Sequence, residues 1–177
     1  QTDKSSIVLF STTTGKEEQR ITLASPTQLT LQILNQTNIL LSEYSSDIGD
    51  VKAQILNLST EKFTEFTTGY GFKARTQSGS ELLGYQTSES YSGSASTKII
   101  NWKTQKQVLA LNVPVAKIAW DANNVYYIEG TTLMKYELSS GAKTNLKDSV
   151  GSETSILGIK SGNLILLTGN ATENVKI

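Results

Sequence analysis

Apolar and polar residues alternate with a period of two along almost the whole chain, and no stretch of ten or more residues carries a 3.6-residue period. Branched Cβ atoms fit a pleated surface, and the β-branched residues Thr, Ile and Val are abundant, so strands are expected and any helix should be a single turn. The pattern predicts strands at 6–11, 19–24, 28–34, 38–44, 51–58, 62–67, 72–76, 81–86, 96–102, 107–112, 115–120, 124–129, 132–138, 143–146, 155–160 and 163–168, with another strand beginning near 174–177. Between them lie turn signals such as Thr14-Gly15-Lys16, Asn35-Gln36-Thr37, Asp121-Ala122-Asn123-Asn124, Glu129-Gly130, Ser140-Gly141 and Ser161-Gly162. Gly and Asn accept the positive φ of short hairpin loops, so an antiparallel meander is the economical connection.

The chain also repeats itself. Phe10-Ser11-Thr12-Thr13-Thr14-Gly15, Leu56-Asn57-Leu58-Ser59-Thr60-Glu61, Ile100-Asn101-Trp102-Lys103-Thr104-Gln105 and Tyr136-Glu137-Leu138-Ser139-Ser140-Gly141 share an apolar-x-apolar start, a small polar pair or Lys-Thr, and a turn; Thr12 breaks the pattern in the first copy. Their starts are 46, 44 and 36 residues apart. A period near 40 with four strands per unit is the requirement of a propeller blade. With Thr13-Thr14-Gly15-Lys16 and Ser139-Ser140-Gly141-Ala142 before outer strands, the chain resembles the broad β-propeller repeat superfamily. It lacks the Trp-Asp, Tyr-Trp-Thr-Asp and Kelch glycine signatures that would assign a subfamily. The resemblance implies an all-β fold of four-stranded antiparallel blades: a partial blade at 6–24, blades at about 28–67, 72–112 and 115–146, and a partial blade at 154–177. Two arrangements follow, a portion of a larger propeller or a ring in which the N-terminal hairpin completes the last blade. The first is favoured, because 174–177 and 6–11 would compete for one slot. Open strand edges would then permit self-association.

Composition narrows the chemistry. Lys and Arg number 16 against 16 Asp and Glu, leaving no global attraction to nucleic acid or anionic lipid. With neither Cys nor His, disulfides, thiolate sites, imidazole-based catalysis and the metal motifs that need an imidazole or a thiolate are excluded. No apolar run approaches the roughly 18 residues that cross a bilayer, so no direct membrane insertion is expected. A glycine-rich phosphate cradle would need a helix to follow it, and none is predicted. No cofactor is expected.

The candidate site residues are few. Trp102, Trp120, Tyr126, Tyr127 and Tyr136 would suit a stacking platform, but packing between blades consumes aromatics, and Tyr126 and Tyr127 point to opposite sheet faces, leaving at most one for a ligand. Tyr91, at the centre of the Ser/Gly-rich stretch 87–96, could serve an adaptable binding loop. Asp47 and Asp50 flank Gly49 in an oxygen-rich loop that does not match a calcium-binding loop, so a solvated hairpin is the favoured reading over a metal site. Asp121 sits where its side chain should cap its own turn. These features point to a non-catalytic module for a protein or glycan partner, of extracellular or cell-envelope origin and bacterial. The alternatives are a carbohydrate-active propeller drawing acids from Asp47, Asp50 and Asp121, and a structural fibre subunit.

Overall fold

The computed structural model describes residues 5–23, 28–44, 50–77, 79–88, 96–169 and 171–177. The chain forms two compact units, Gln1–Thr68 and Gly69–Ile177. Among the described residues the secondary structure is strand, apart from turns and one 3-10 turn.

In the first unit β1 (Ser6–Phe10) and β2 (Glu17–Thr22) form an antiparallel hairpin, and β3 (Gln28–Ile33), β4 (Asn38–Tyr44) and β5 (Asp50–Asn57) form a meander beside the start of β6 (Lys62–Thr76). Alternation along β4 sends Ile39 and Leu41 to one face, where they join Leu56 and meet Ile21 and Leu23 at the end of the hairpin. Gln19 strengthens that join by donating from Nε2 to the Leu58 carbonyl and to Glu61 Oε1, both at 2.9 Å.

In the second unit the end of β6 pairs with β7 (Leu82–Ser88), followed by β8 (Thr97–Asn101) and β9 (Lys106–Leu111). Next come the four-stranded sheet β10 (Ile118–Trp120), β11 (Asn124–Glu129), β12 (Thr132–Glu137) and β13 (Lys143–Lys147), and the three-stranded β14 (Ser155–Lys160), β15 (Asn163–Thr168) and β16 (Ala171–Lys176). The middle sheet is covered on both faces. Ile118, Trp120, Val125 and Tyr127 pack with Ile99, Leu111 and Val113, whereas Ala119, Tyr126, Ile128 and Leu133 pack with Ile156, Leu164 and Leu166. A strand buried on both sides needs a continuous apolar run, and Val125-Tyr126-Tyr127-Ile128 is one.

Beyond shifts of one or two residues at strand ends, three departures from the expected pattern stand out. The strand expected at 115–120 begins only at Ile118, because Pro114 (φ −64°) opens a 3-10 turn over Val115–Lys117 in which the Lys117 amide donates to the Pro114 carbonyl. The strands expected at 62–67 and 72–76 are continuous in β6, and the glycines between them accompany an irregularity in the register at Tyr70/Lys73 rather than a turn. At the C-terminal end β16 is a full six residues, Ala171–Lys176.

The repeat has a common backbone device. Its sixth position carries positive φ in all four copies: 66° at Gly15, 55° at Glu61, 56° at Gln105 and 74° at Gly141. The second position supports the same turn, with the Thr14 amide donating to Ser11 Oγ at 3.2 Å, the Thr60 amide to Asn57 Oδ1 at 3.0 Å, and the Thr104 amide to Asn101 Oδ1 at 3.1 Å. Two copies therefore hold a residue with a Cβ where glycine is unstrained. Gln105→Gly is expected to stabilise the chain by about 0.5–1 kcal/mol and Gly141→Ala to destabilise it by about 1 kcal/mol. Urea midpoints of the two variants against the parent chain check this; equal midpoints would contradict it.

Candidate functional site

Among the described residues two recesses open on the second unit. The larger, about 440 Å³, is lined by Asp121, Asn124, Tyr126, Lys135, Leu146, Ile159, Gly162 and Ile177. Asp121 follows β10 and closes the turn into β11: its Oδ1 accepts from the Asn123 and Asn124 amides, each at 2.8 Å, and from Asn124 Nδ2 at 3.2 Å. Its Oδ2 accepts the Tyr126 hydroxyl at 2.7 Å. Burial pushes this carboxyl up, but the Asn123 amide, the Tyr126 hydroxyl and the amide and side chain of Asn124 outweigh it and hold the group below the ordinary aspartate value. Burial, and then the bond to Asp121, push the Tyr126 phenol well above the ordinary tyrosine value. The pair is a locked carboxylate and phenol.

A carboxyl with a depressed folded-state value contributes stability above its unfolded value, near pH 4, and loses it as the pH falls through the folded value. Asp121→Asn is therefore expected to cost about 1–2 kcal/mol at pH 7, with the difference from the parent shrinking below about pH 4. Denaturant titrations of both chains at pH 7 and pH 3 read it; a difference that grows toward acid would refute it.

The smaller recess, about 190 Å³, is lined by Arg75, Thr76, Gln77, Ala119, Trp120, Leu157, Gly158 and Ile159. Arg75, near the end of β6, donates from Nη1 to the Ile156 carbonyl and from Nη2 to the Leu157 carbonyl, both at 2.5 Å. Those carbonyls lie at the register irregularity of β14 between Ile156 and Gly158. Burial draws the Arg75 guanidinium below its ordinary value.

Of the residues expected at a site, Asp121 and Tyr126 meet in the larger recess, and Asp121 caps its turn as its local sequence implies. Tyr126 and Tyr127 do point to opposite faces, but both are buried, at 3% and 1% exposure, because sheets cover both sides of β11. The Tyr126 ring thus offers little surface to a ligand. Trp102 and Trp120 are buried too, and both indole N–H groups converge on Ser80, at its carbonyl (3.1 Å) and its Oγ (3.0 Å) respectively. Tyr91 and Asp47 lie outside the described residues, and for Asp50 the structure describes the backbone, which opens β5. Among the described residues no group of three or more Asp or Glu side chains is placed to hold a metal ion. Sequence reasoning missed Arg75, because its hydrogen-bond partners are carbonyls 81 and 82 residues away and no local pattern marks it.

No protein-family model matches the chain, and no curated protein matches it in sequence. Among solved structures, the β-propeller domain of the Trilobed protease from Pyrococcus furiosus superposes with a TM-score of 0.60 at 8% identity, over 97% of this chain and 62% of that one. The fold is that of a partial β-propeller. Pyrococcus horikoshii acylaminoacyl peptidase is similar over 92% of this chain and 31% of its own, with a TM-score of 0.62 and 10% identity. A chain of a nidogen/laminin complex is similar over 97% and 72%, with a TM-score of 0.56 and 8% identity. At these identities the likeness is one of fold.

Proposed function

We propose that this chain is a non-catalytic interaction module of a bacterial envelope or secreted protein, binding a protein or glycan partner through its propeller blades. The observation that carries the reading is the state of Asp121. It contributes the one acidic side chain lining either recess, and its oxygens accept from two amides, a carboxamide and a phenol, which leaves it poorly suited to take up or deliver a proton. The absence of His and Cys removes the usual nucleophiles' partners, and the balanced charge with a Ser- and Thr-rich sequence suits a polar, uncharged contact surface. Some propeller-containing neighbours are named as a protease or a peptidase, but folds host many functions and the site decides among them.

Incubation with carbohydrate and peptide libraries, read by mass spectrometry for product and by array binding for retention, tests the reading. Retention without turnover is expected. Any turnover would overturn it, and turnover that disappears in Asp121→Asn would favour the carboxylate-dependent, carbohydrate-active alternative.

A further inference from the structure

We propose that the recess beside Arg75 binds a carboxylate carried on a small apolar group. The inference rests on reading the chain as a binding module and gives that module a ligand chemistry.

Arg75 is a cation held among neutral groups. The ion pairs between described residues are Arg20 with Glu17, Lys52 with Glu65 and Lys103 with Glu81, all on exposed side chains, and none includes Arg75. Its two hydrogen bonds go to backbone carbonyls, which carry partial charge only. Arg75 is half-buried, and partial withdrawal of a guanidinium from water without an anion carries a cost, so a site that leaves the cation unpaired favours an incoming anion. Burial already bears on its titration. The tether from β6 to β14 uses two N–H donors, whereas a guanidinium has five, so three are not taken up by these bonds, on a residue that lines the recess.

The remaining walls decide which anion. Arg75 is the one basic side chain that lines the recess, which matches the single charge of a carboxylate and its two-oxygen fork better than the higher charge of a phosphate. Thr76 and Gln77 add polar groups, and Leu157 and Ile159 supply accessible apolar surface backed by the buried Ala119 and Trp120. Leu157, half exposed, supplies an apolar rim. A carboxylate would therefore seat on Arg75 while a short apolar group lies against Leu157 and Ile159.

The test titrates isobutyrate, and separately the isosteric neutral isobutyramide, into the 15N-labelled chain, following the Gly158 and Ile159 amides and the Trp120 indole N–H. Saturable shifts with isobutyrate in the millimolar range and none with isobutyramide are expected. In Arg75→Lys, which keeps the charge but loses the fork, affinity should fall about tenfold. Equal response to both compounds, no saturable response to isobutyrate, or an unchanged affinity in a folded Arg75→Lys chain would each overturn the proposal. Should Arg75→Lys not fold, the comparison of the two compounds on the parent chain decides alone. Failure here leaves the binding-module reading standing, since that reading falls only to turnover in the library assay; conversely, turnover there would leave a saturable isobutyrate response intact.

Discussion

Trp120→Ala is expected to lower the unfolding free energy by about 4 kcal/mol, the upper part of the range for deleting a buried large side chain. Trp120 is 1% exposed and belongs to the cluster of Ile99, Leu111, Val113, Ile118, Val125 and Tyr127 that covers one face of the β10 to β13 sheet. Alanine would leave a cavity between two neighbouring sheets. It would also strip the Ser80 hydroxyl of the indole N–H that meets it at 3.0 Å. Trp120→Phe separates the two contributions: it keeps most of the ring and removes the donor, so about 1–2 kcal/mol should be lost. Urea unfolding followed by circular dichroism, a probe that does not depend on the deleted fluorophore, measures both. If alanine costs no more than phenylalanine, the ring is not filling the interface as described.

The middle sheet of the second unit was the most legible part of the chain. Strands expected at 124–129, 132–138 and 143–146 appear as Asn124–Glu129, Thr132–Glu137 and Lys143–Lys147, because a strict alternation or a short apolar run bounded by Gly and Asn turns fixes both periodicity and ends. The Asp121 turn was legible for the same reason, its amide donors lying two and three residues away. Legibility failed where the deciding partner is distant or the turn lacks its usual residue. Glu61 and Gln105 take up the left-handed conformation without being glycine, so only the comparison with Gly15 and Gly141 across the repeat marks them. Arg75 meets carbonyls 81 and 82 residues away, at an irregularity in β14 that no local pattern announces. The recess beside it depends on this long-range meeting, and so lay beyond any reading of neighbouring residues.

Gly84→Ala is the second large effect, expected at about 2 kcal/mol, with Gly84→Val costing more. Gly84 lies within β7, paired with Arg75 of β6 and Ile99 of β8, and its backbone conformation is one that any residue can adopt; what restricts it is space. A Cβ there would stand 2.7 Å from Ile118 Cδ1 and 3.1 Å from Trp120 Cζ3. Both neighbours are buried in the sheet packed against it, so neither can swing into solvent, and the two sheets must move apart or the side chains leave their rotamers. The offending atom on Ile118 can be removed directly. Ile118→Val alone should cost about 1 kcal/mol, yet in the Gly84→Ala background it should cost nothing or restore stability, a coupling readable in a double-mutant cycle. Additive losses would mean that the contact with Ile118 is not what excludes a side chain at this position. The same pair reports on the recess, because Trp120 lines it and Arg75 sits across the ladder from Gly84. A Cβ that displaces Trp120 should therefore also weaken the isobutyrate response, and Ile118→Val, by relieving only part of the crowding, should restore stability more fully than binding.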